Sequence, residues 1–124
     1  MTVGSGEGGR LTTHILDTMA GRPGTGIRIE LYRLSDGGRE LVKSTRTDAD
    51  GRCAEPLLSG PEVRVGTYEL VFHVGDYFAA RGVELADPRF LDRVPVRFGL
   101  AAPDRRYHVP LLISPYGYST YKGS

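Results

Sequence analysis

The feature that most constrains the fold is a series of short segments in which apolar and polar residues alternate. Apolar residues occupy positions 27, 29 and 31, then 68, 70, 72 and 74, and then 94, 96, 98 and 100. Alternation of this kind predicts strands with one buried face. Glycines (17) and prolines (8) separate the segments, and this punctuation is typical of an all-β sandwich or barrel.

The same reasoning assigns secondary structure to most of the chain. Strands are predicted at residues 11–17, 27–32, 40–47, 66–74, 94–100, 106–113 and 118–124. A short helix is predicted at residues 77–81, with Asp76 as its N-cap and Gly82 after its end. Seven or eight strands fall within the range of small antiparallel β-sandwiches. Residues 1–10 are predicted to form a flexible, glycine-rich tail, and residues 11–124 a single domain.

Charge and cysteine content narrow the functional classes. The chain carries 16 Lys and Arg against 15 Asp and Glu, and this balance argues against nucleic acid or an anionic membrane as the main partner. Cys53 is the sole cysteine, so no internal disulfide can form. No apolar run approaches the length of a membrane span, and the start does not resemble a secretory signal. We therefore expect a soluble, cytoplasmic protein.

Two histidines are predicted to point away from the core. Positions 12, 14 and 16 share the outer face of the first strand, and positions 107, 109, 111 and 113 form the apolar face of the penultimate one. His14 and His108 therefore lie on outer faces, which also carry Leu16 and Leu112. Apolar residues on an outer face indicate a subunit interface or a ligand groove. Taken alone, either histidine would be interpreted as a solvated surface residue.

Five segments, taken together, are more specific. They are Leu-Thr-Thr-His-Ile-Leu-Asp at 11–17, Asp-Ala-Asp-Gly-Arg at 48–52, Gly-Thr-Tyr-Glu-Leu at 66–70, Gly-Asp-Tyr-Phe at 75–78, and a closing tract at 107–124 that ends in Tyr-Lys-Gly-Ser. In this order the chain resembles the 5-hydroxyisourate hydrolase family, also called the transthyretin-related proteins. The resemblance covers nearly all of residues 11–124, and the closing tract is its most specific part.

The resemblance implies a transthyretin-like fold of two four-stranded sheets and one short helix, assembled as a homotetramer with its sites in a channel where dimers meet. It implies hydrolysis of 5-hydroxyisourate to 2-oxo-4-hydroxy-4-carboxy-5-ureidoimidazoline, a step of urate degradation, without a cofactor or a metal. The catalytic residues implied are His14, Arg52, His108 and Ser124, and the substrate-binding residues are Arg52, Tyr121, Lys122 and Gly123.

Such a reaction requires an activated water and a stabilised oxyanion. A neutral histidine suits the first task, and Arg52 suits the second. The sequence leaves open whether His14 or His108 takes the proton of the water. Ser124 is expected to position water or a partner through its hydroxyl, and its carboxylate is a further candidate for this role.

Position 122 departs from the family pattern, in which the tail is usually Tyr-Arg-Gly-Ser. Lys122 keeps the positive charge but lacks the planar fork of a guanidinium. Activity is expected to fall if this side chain binds substrate at two points, and to change little if it supplies only charge.

Several residues also have simpler interpretations. Arg52 alone would be an ordinary turn residue, and His73 is expected to be exposed and without function. Cys53 is expected to be a buried or half-buried thiol and not a nucleophile. Zinc, calcium and phosphate-loop sites are not favoured, because none of their ligand patterns is complete. Pro110 conflicts with a central strand unless the strand is bulged there or its N–H side faces outward.

Two functional classes compete with the hydrolase. One is a small-molecule carrier on the same fold, as transthyretin is, and the other is a structural or adhesion module. The two histidines and the Tyr-Lys-Gly-Ser tail favour the hydrolase, because a carrier channel does not need them. An adhesion module would more often be secreted and disulfide-bonded.

Overall fold

The computed structural model describes residues 8–124 and arranges them in two packed β-sheets. In chain order, the strands are β1 (Arg10–Asp17), β2 (Arg22–Pro23), β3 (Arg28–Ser35), β4 (Gly38–Arg46), β5 (Leu58–Ser59), β6 (Gly66–His73), β7 (Arg93–Leu100), β8 (Arg106–Ser114) and β9 (Gly117–Thr120). Helix α1 (Val74–Ala80) follows β6, and a 3-10 turn covers Gly60–Glu62. Residues 1–7 of the predicted tail lie outside the described residues. Within residues 8–124, no helix has the length and apolar character needed to cross a membrane.

The first sheet has the order β2-β1-β8-β9, with β5 pairing the start of β1, and the second has the order β4-β3-β6-β7. The predicted two-sheet sandwich is therefore confirmed, with one exception to its antiparallel pairing. β1 and β8 run parallel, with Leu11 opposite Tyr107 and Asp17 opposite Ile113. Parallel strands need a long connection, and here the whole second sheet lies within it. Alternation within one strand carries no information on the direction of its neighbour, so the sequence pattern could not predict this pair.

The predicted alternation does set the core. Leu11 and Ile15 of β1, Ile29 of β3, Leu70 of β6 and Leu111 of β8 are fully buried between the sheets. Burying each such side chain contributes roughly 1.5–3 kcal/mol. Because successive side chains of a strand point to opposite faces, the polar residues between them are presented on the outer faces of the sandwich, where the functional groups lie.

The predicted helix is present, but it begins earlier than expected. It starts at Val74 directly after β6, and His73 occupies the N-cap position, so Asp76 lies in the first turn and is not the cap. No side chain caps this end, and Val74, Tyr77 and Phe78 are buried. Burial of one apolar side, rather than capping, therefore fixes the start of α1. The sequence pattern missed this because Val74 also continues the alternation of β6.

Several strand boundaries also differ from the prediction. The last strand is Gly117–Thr120, so the predicted strand at 118–124 is too long by four residues. The short strands β2 and β5 have two residues each, too few for any alternation to be visible. β1 begins at Arg10, one residue before its predicted start.

The expectation that His73 is exposed is wrong. Its exposed fraction is 7%, although it lies on the outer face of the second sheet. Its Nε2 lies 2.9 Å from Glu30 Oε1, and its Nδ1 lies 3.8 Å from Asp76 Oδ2 of α1. The helix that follows β6 thus covers the end of the sheet, and alternation alone cannot show which part of an outer face is covered.

Candidate active site

The outer faces of β1 and β8 form one continuous surface because the two strands are neighbours. Their register places Thr12 opposite His108 and His14 opposite Pro110. Thr12, His14 and His108 are half-buried, whereas Leu11 on the inner face is fully buried. The prediction that both histidines point away from the core is confirmed, and the register adds Thr12 as the direct neighbour of His108.

His108 is held in a setting that favours a neutral ring. Its Nδ1 lies 2.8 Å from the Thr12 hydroxyl oxygen. Burial lowers the pKa of His108 below its ordinary value of 6.5, the charges of Arg52 and His14 lower it further, and a backbone hydrogen bond with Thr12 acts in the opposite direction. Because burial and nearby cations both disfavour the imidazolium, the ring is available as a proton acceptor at neutral pH.

A tight turn brings the guanidinium of Arg52 to the histidines. The Asp48 carboxylate accepts hydrogen bonds from the backbone N–H groups of Asp50 (2.8 Å) and Arg52 (3.2 Å). Gly51 has a φ of +76°, and a Cβ there would lie 2.5 Å from a carbonyl oxygen of β1, so glycine is required. Arg52 then forms an isolated antiparallel bridge with His14.

His14 is bonded differently from His108. Its Nε2 lies 3.1 Å from the carbonyl oxygen of Asp50. A carbonyl oxygen only accepts hydrogen bonds, so Nε2 of His14 carries the proton and donates. His108 is instead anchored through Nδ1, and its Nε2 has no hydrogen-bond partner among residues 8–124.

The path of the C-terminal tail depends on Pro110. The register of β8 with β9 would set Pro110 opposite Tyr121, but proline has no N–H to donate. The Pro110 carbonyl accepts a hydrogen bond from the Thr120 hydroxyl (2.6 Å), and the ladder ends there. Pairing resumes two residues on, where the Gly123 N–H donates to the His108 carbonyl (2.8 Å). Pro110 is therefore compatible with a central strand. Its missing N–H faces the part of the tail where strand pairing is interrupted.

Gly123 allows the tail to lie against the imidazole ring of His108. A Cβ at this position would lie 2.6 Å from His108 Cδ2, closer than real Cβ contacts come, and 3.1 Å from Pro110 Cγ, which is also tight. The bridge between His108 and Gly123 therefore requires a residue without a side chain at position 123. It also fixes where Ser124 lies relative to His108.

A pocket of about 450 Å³ lies on this surface. Its lining residues are Arg10, Thr12, Thr13, Arg52, Cys53, Glu55, Arg106, Tyr107, His108 and Ser124. The structure thus brings together three of the predicted residues, Arg52, His108 and Ser124, and His14 joins them through its bridge to Arg52. Three arginines outnumber the single acidic side chain, Glu55, so the pocket favours substrates whose oxygens carry or develop negative charge.

The remaining tail residues predicted to bind substrate lie in a neighbouring groove. Tyr121 and Lys122 line an apolar groove of about 630 Å³ that shares Tyr107 and His108 with the pocket. Lys122 Nζ lies 5.7 Å from the centre of the Tyr107 ring, a cation–π arrangement. Within one chain, Ser124 and Lys122 therefore line adjacent cavities, and His108 lies between the two.

Sequence patterns did not indicate Thr12, Arg10 and Arg106 as site residues. Arg10 and Arg106 are register partners at the start of the parallel pair, as Thr12 and His108 are two residues further along. Thr12 and His108 are 96 positions apart in the sequence. They meet only because their two strands pair in the parallel direction. A search for polar residues at the same ends of β1 and β8 would have found all of them, had that direction been known.

Cys53 lines the pocket, but its thiol is not activated. It is half-buried, as predicted, and burial, followed by the charge of Asp48, raises its pKa to about 11. A thiol in this state is a poor nucleophile at neutral pH. Within residues 8–124, no three His, Cys, Asp or Glu side chains cluster in a way that could hold a metal ion.

Comparison with known proteins identifies relatives over the whole fold. The HIUase/Transthyretin family matches residues 11–123. The chain is 60% identical to a 5-hydroxyisourate hydrolase of Pseudomonas aeruginosa, across 94% of this chain and 92% of that protein. It is 58% identical to 5-hydroxyisourate hydrolase 2 of Rhizobium meliloti, across 95% of this chain and 98% of that protein. The solved structure of a Klebsiella pneumoniae 5-hydroxyisourate hydrolase matches with a TM-score of 0.76 at 34% identity, across 94% of both chains. The chain therefore belongs to the HIUase/transthyretin family.

Proposed function

We propose that this chain hydrolyses 5-hydroxyisourate to 2-oxo-4-hydroxy-4-carboxy-5-ureidoimidazoline, a step of urate degradation, with residues 11–124 as its catalytic domain. Relatives that are 58% and 60% identical carry the name of this hydrolase. The observation that carries the proposal is one pocket that holds a neutral-favouring His108, the cation Arg52 and the tail residue Ser124. Hydrolysis of an amide-type bond needs a proton acceptor beside a fixed positive charge.

His108 is the general base in this mechanism. Its Nδ1 bonds to Thr12, and the neutral tautomer with the proton on Nδ1 leaves the lone pair of Nε2 free for water. His14 is the less suitable base, because its Nε2 already donates to the Asp50 carbonyl. Its part is to orient, since it forms a backbone bridge with Arg52.

The proposed reaction consumes one water molecule. The water oxygen bonds to the ring carbonyl carbon while Nε2 of His108 takes a proton from the water. The carbonyl oxygen becomes an oxyanion, which the permanently charged guanidinium of Arg52 stabilises. The ring C–N bond then breaks, and His108 returns the proton to the leaving nitrogen. The products are a carboxyl group and a ureido N–H, and the enzyme is regenerated.

The tail completes the substrate site. Ser124 positions the attacking water through its hydroxyl, and the Gly123 bridge holds it beside His108. Tyr121 and Lys122 bind the substrate from the side of the neighbouring groove, where Lys122 supplies positive charge. An extension fused after Ser124 should therefore lower activity more than the same extension fused before Met1, and equal activity of the two fusions would contradict a site built from the tail.

A homotetramer with its sites at the dimer–dimer interface is the assembly that suits these surfaces. β7 and β9 are edge strands of the two sheets, and unpaired edges are the places where a second copy adds strands. On the outer face beside the histidines, Leu16 is 38% exposed and Tyr118 45%, and a partner would cover both. Sedimentation should give four times the 13.5 kDa mass of one chain, and a monomer at micromolar concentration would contradict the assembly.

The cytoplasm is the compartment that suits this chemistry. The single thiol, Cys53, has a pKa raised to about 11, and the fold needs no disulfide to hold its sheets. Reducing compartments keep such thiols free. Cell fractionation with an antibody against the native chain tests this assignment, and a purely extracellular signal would contradict it.

A non-catalytic carrier is the second candidate, favoured by the apolar groove of about 630 Å³ beside the pocket. The deciding experiment generates 5-hydroxyisourate by oxidising urate and follows its ultraviolet decay with and without untagged protein. Decay faster than the spontaneous rate and proportional to protein concentration supports the hydrolase. Decay at the spontaneous rate, from protein shown to be folded by circular dichroism, would overturn it in favour of the carrier.

A further inference from the structure

The outer face of the second sheet carries a row of basic side chains that the proposed hydrolysis does not use. Its members, called here the arginine row, are Arg46, Arg28, His73 and Arg93, one from each of the four strands. The register places Arg46 opposite Arg28, and His73 opposite Arg93. The β3–β6 register, extended by one residue, sets Arg28 opposite His73. Directly opposed side chains of an antiparallel pair lie about 5 Å apart at Cβ, and like charges there destabilise the sheet.

The carboxylates near the row leave part of this charge unbalanced. Glu30 pairs with both Arg28 (3.4 Å) and His73 (2.9 Å). Among residues 8–124, Arg46 and Arg93 form no ion pair, and Arg46 instead donates a hydrogen bond to the carbonyl of Gly26 (3.2 Å). The formal net charge of the whole chain is only +1, so this concentration of arginines is a local feature.

The row lines a cavity and does not lie on a flat surface. The cavity measures about 460 Å³, and the row is joined there by Arg81 and by the exposed Thr25. Asp76 is the acidic residue of the lining, and it is already 2.7 Å from Arg89. This volume lies within the range of small-molecule sites. Guanidinium forks match the oxygen geometry of phosphate groups better than any other side chain does.

We propose that the arginine row and its cavity form a second site, which binds a small anion bearing a phosphate group. Arg46 and Arg93, which form no ion pair among residues 8–124, contact the phosphate oxygens from opposite ends of the row, and Thr25, whose hydroxyl donates to the Ala49 carbonyl (3.4 Å), also lines the cavity. The site lies on the second sheet, whereas the hydrolase pocket lies on the outer face of the first, so the proposal stands independently of the catalysed reaction.

Histidine NMR tests the site with inorganic phosphate as the probe. The chain has three histidines, and His73 lies in the row while His14 and His108 lie at the hydrolase site. At constant ionic strength, phosphate should shift the His73 ring signals along a saturable curve. Binding of phosphate in the arginine-lined hydrolase pocket would move the other two rings instead, so the two events are separated. An unmoved His73 signal at tens of millimolar phosphate would overturn the proposal.

Matched variants separate a built site from general attraction. Arg93→Gln should weaken phosphate binding at His73 about tenfold, as expected for loss of a charged hydrogen-bond donor. Arg97→Gln is the control, because it removes the same charge from the same face of β7, where Arg97 pairs with Glu69 (3.3 Å) outside the cavity. An equal loss in both variants would overturn the site. Both arginines are exposed, and circular dichroism and a melting temperature like those of the wild type verify that the variants fold.

Discussion

Each sheet of the sandwich carries a half-buried or buried histidine on its outer face, and the neighbours of the two rings differ. His108 on the first sheet bonds to the Thr12 hydroxyl at 2.8 Å, and Arg52 is the cation that lowers its pKa most. His73 on the second sheet bonds to the Glu30 carboxylate at 2.9 Å, with Asp76 at 3.8 Å. The His108 ring therefore has a hydroxyl as its hydrogen-bond partner, whereas the His73 ring has a carboxylate, although Arg93 is its register neighbour.

This difference shows why burial alone does not mark a catalytic histidine. Burial and Arg52 together lower the pKa of His108, so this ring stays neutral and can accept a proton. At the other site, the hydrogen bond from His73 is the main cause that lowers the pKa of Glu30, so this ring belongs to a structural pair with a carboxylate. The partner of the ring decides between the two roles.

The largest expected effect separates the two histidines directly. His108→Asn should lower kcat for 5-hydroxyisourate about 10²- to 10⁴-fold, because it removes the general base. His73→Gln should keep the kcat of the wild type, since it retains a donor to Glu30 far from the pocket. The measurement is the ultraviolet decay assay with both variants at matched concentration. A comparable loss of kcat in a folded His73→Gln protein would break the comparison.

A smaller loss is expected when the neighbouring cation is removed. Arg52→Gln should lower kcat about 10²- to 10³-fold, because the oxyanion loses its charged donor. The pH dependence should change as well. Activity falls as His108 is protonated below its pKa, and burial together with Arg52 holds that pKa below the ordinary 6.5. Without the cation protonation becomes easier, so the acid limb of kcat/KM should move to higher pH.

The control for this prediction is Arg10→Gln, which removes a charge from the same pocket without removing a cause of the His108 shift. Its acid limb should stay where the wild type has it. If Arg52→Gln moves the limb to lower pH, or leaves it in place, the electrostatic account of His108 is incorrect.

Thr12 gives the next effect in size. Thr12→Val should lower kcat about tenfold with little change in KM, because one hydrogen bond that orients the ring is lost. Thr12→Ser keeps the hydroxyl and should restore most of kcat. Thermal unfolding of both variants distinguishes positioning from stability. If valine lowers the melting temperature but not kcat, Thr12 has only a structural role.

The two histidines also show what sequence patterns can and cannot predict. Alternation placed His14 and His108 on outer faces, because the direction of a side chain in a strand follows from its position alone. It failed for His73, because α1 covers the end of its sheet and coverage is a tertiary property. Alternation also could not indicate Thr12 as a neighbour of His108. Their distance of 2.8 Å depends on parallel pairing between strands that are distant in the sequence.

The tail illustrates a third kind of limit. Resemblance to a family indicated Ser124 and Gly123, and the structure gives the physical reason for glycine, since a Cβ would lie 2.6 Å from His108 Cδ2. Pro110 looked like a contradiction in the sequence, yet it interrupts the ladder between Thr120 and Gly123. A proline that conflicts with strand pairing therefore sets the path of the tail beside His108. This consequence depends on the neighbouring strand, so the proline alone could not indicate it.

The smallest effect concerns Lys122, the position that departs from the family pattern. Its Nζ lies over the Tyr107 ring at 5.7 Å in the groove beside the pocket, where an arginine would make a similar cation–π contact. Lys122→Arg should therefore change kcat/KM by less than about threefold, whereas Lys122→Ala should raise KM by removing the charge. A gain of about tenfold or more in Lys122→Arg would show that a guanidinium fork grips the substrate at two points. Lys122 would then lack a substrate contact that an arginine makes at this position. In this chain, the contrast between His108 and His73 would rest on Arg52 and Thr12 alone.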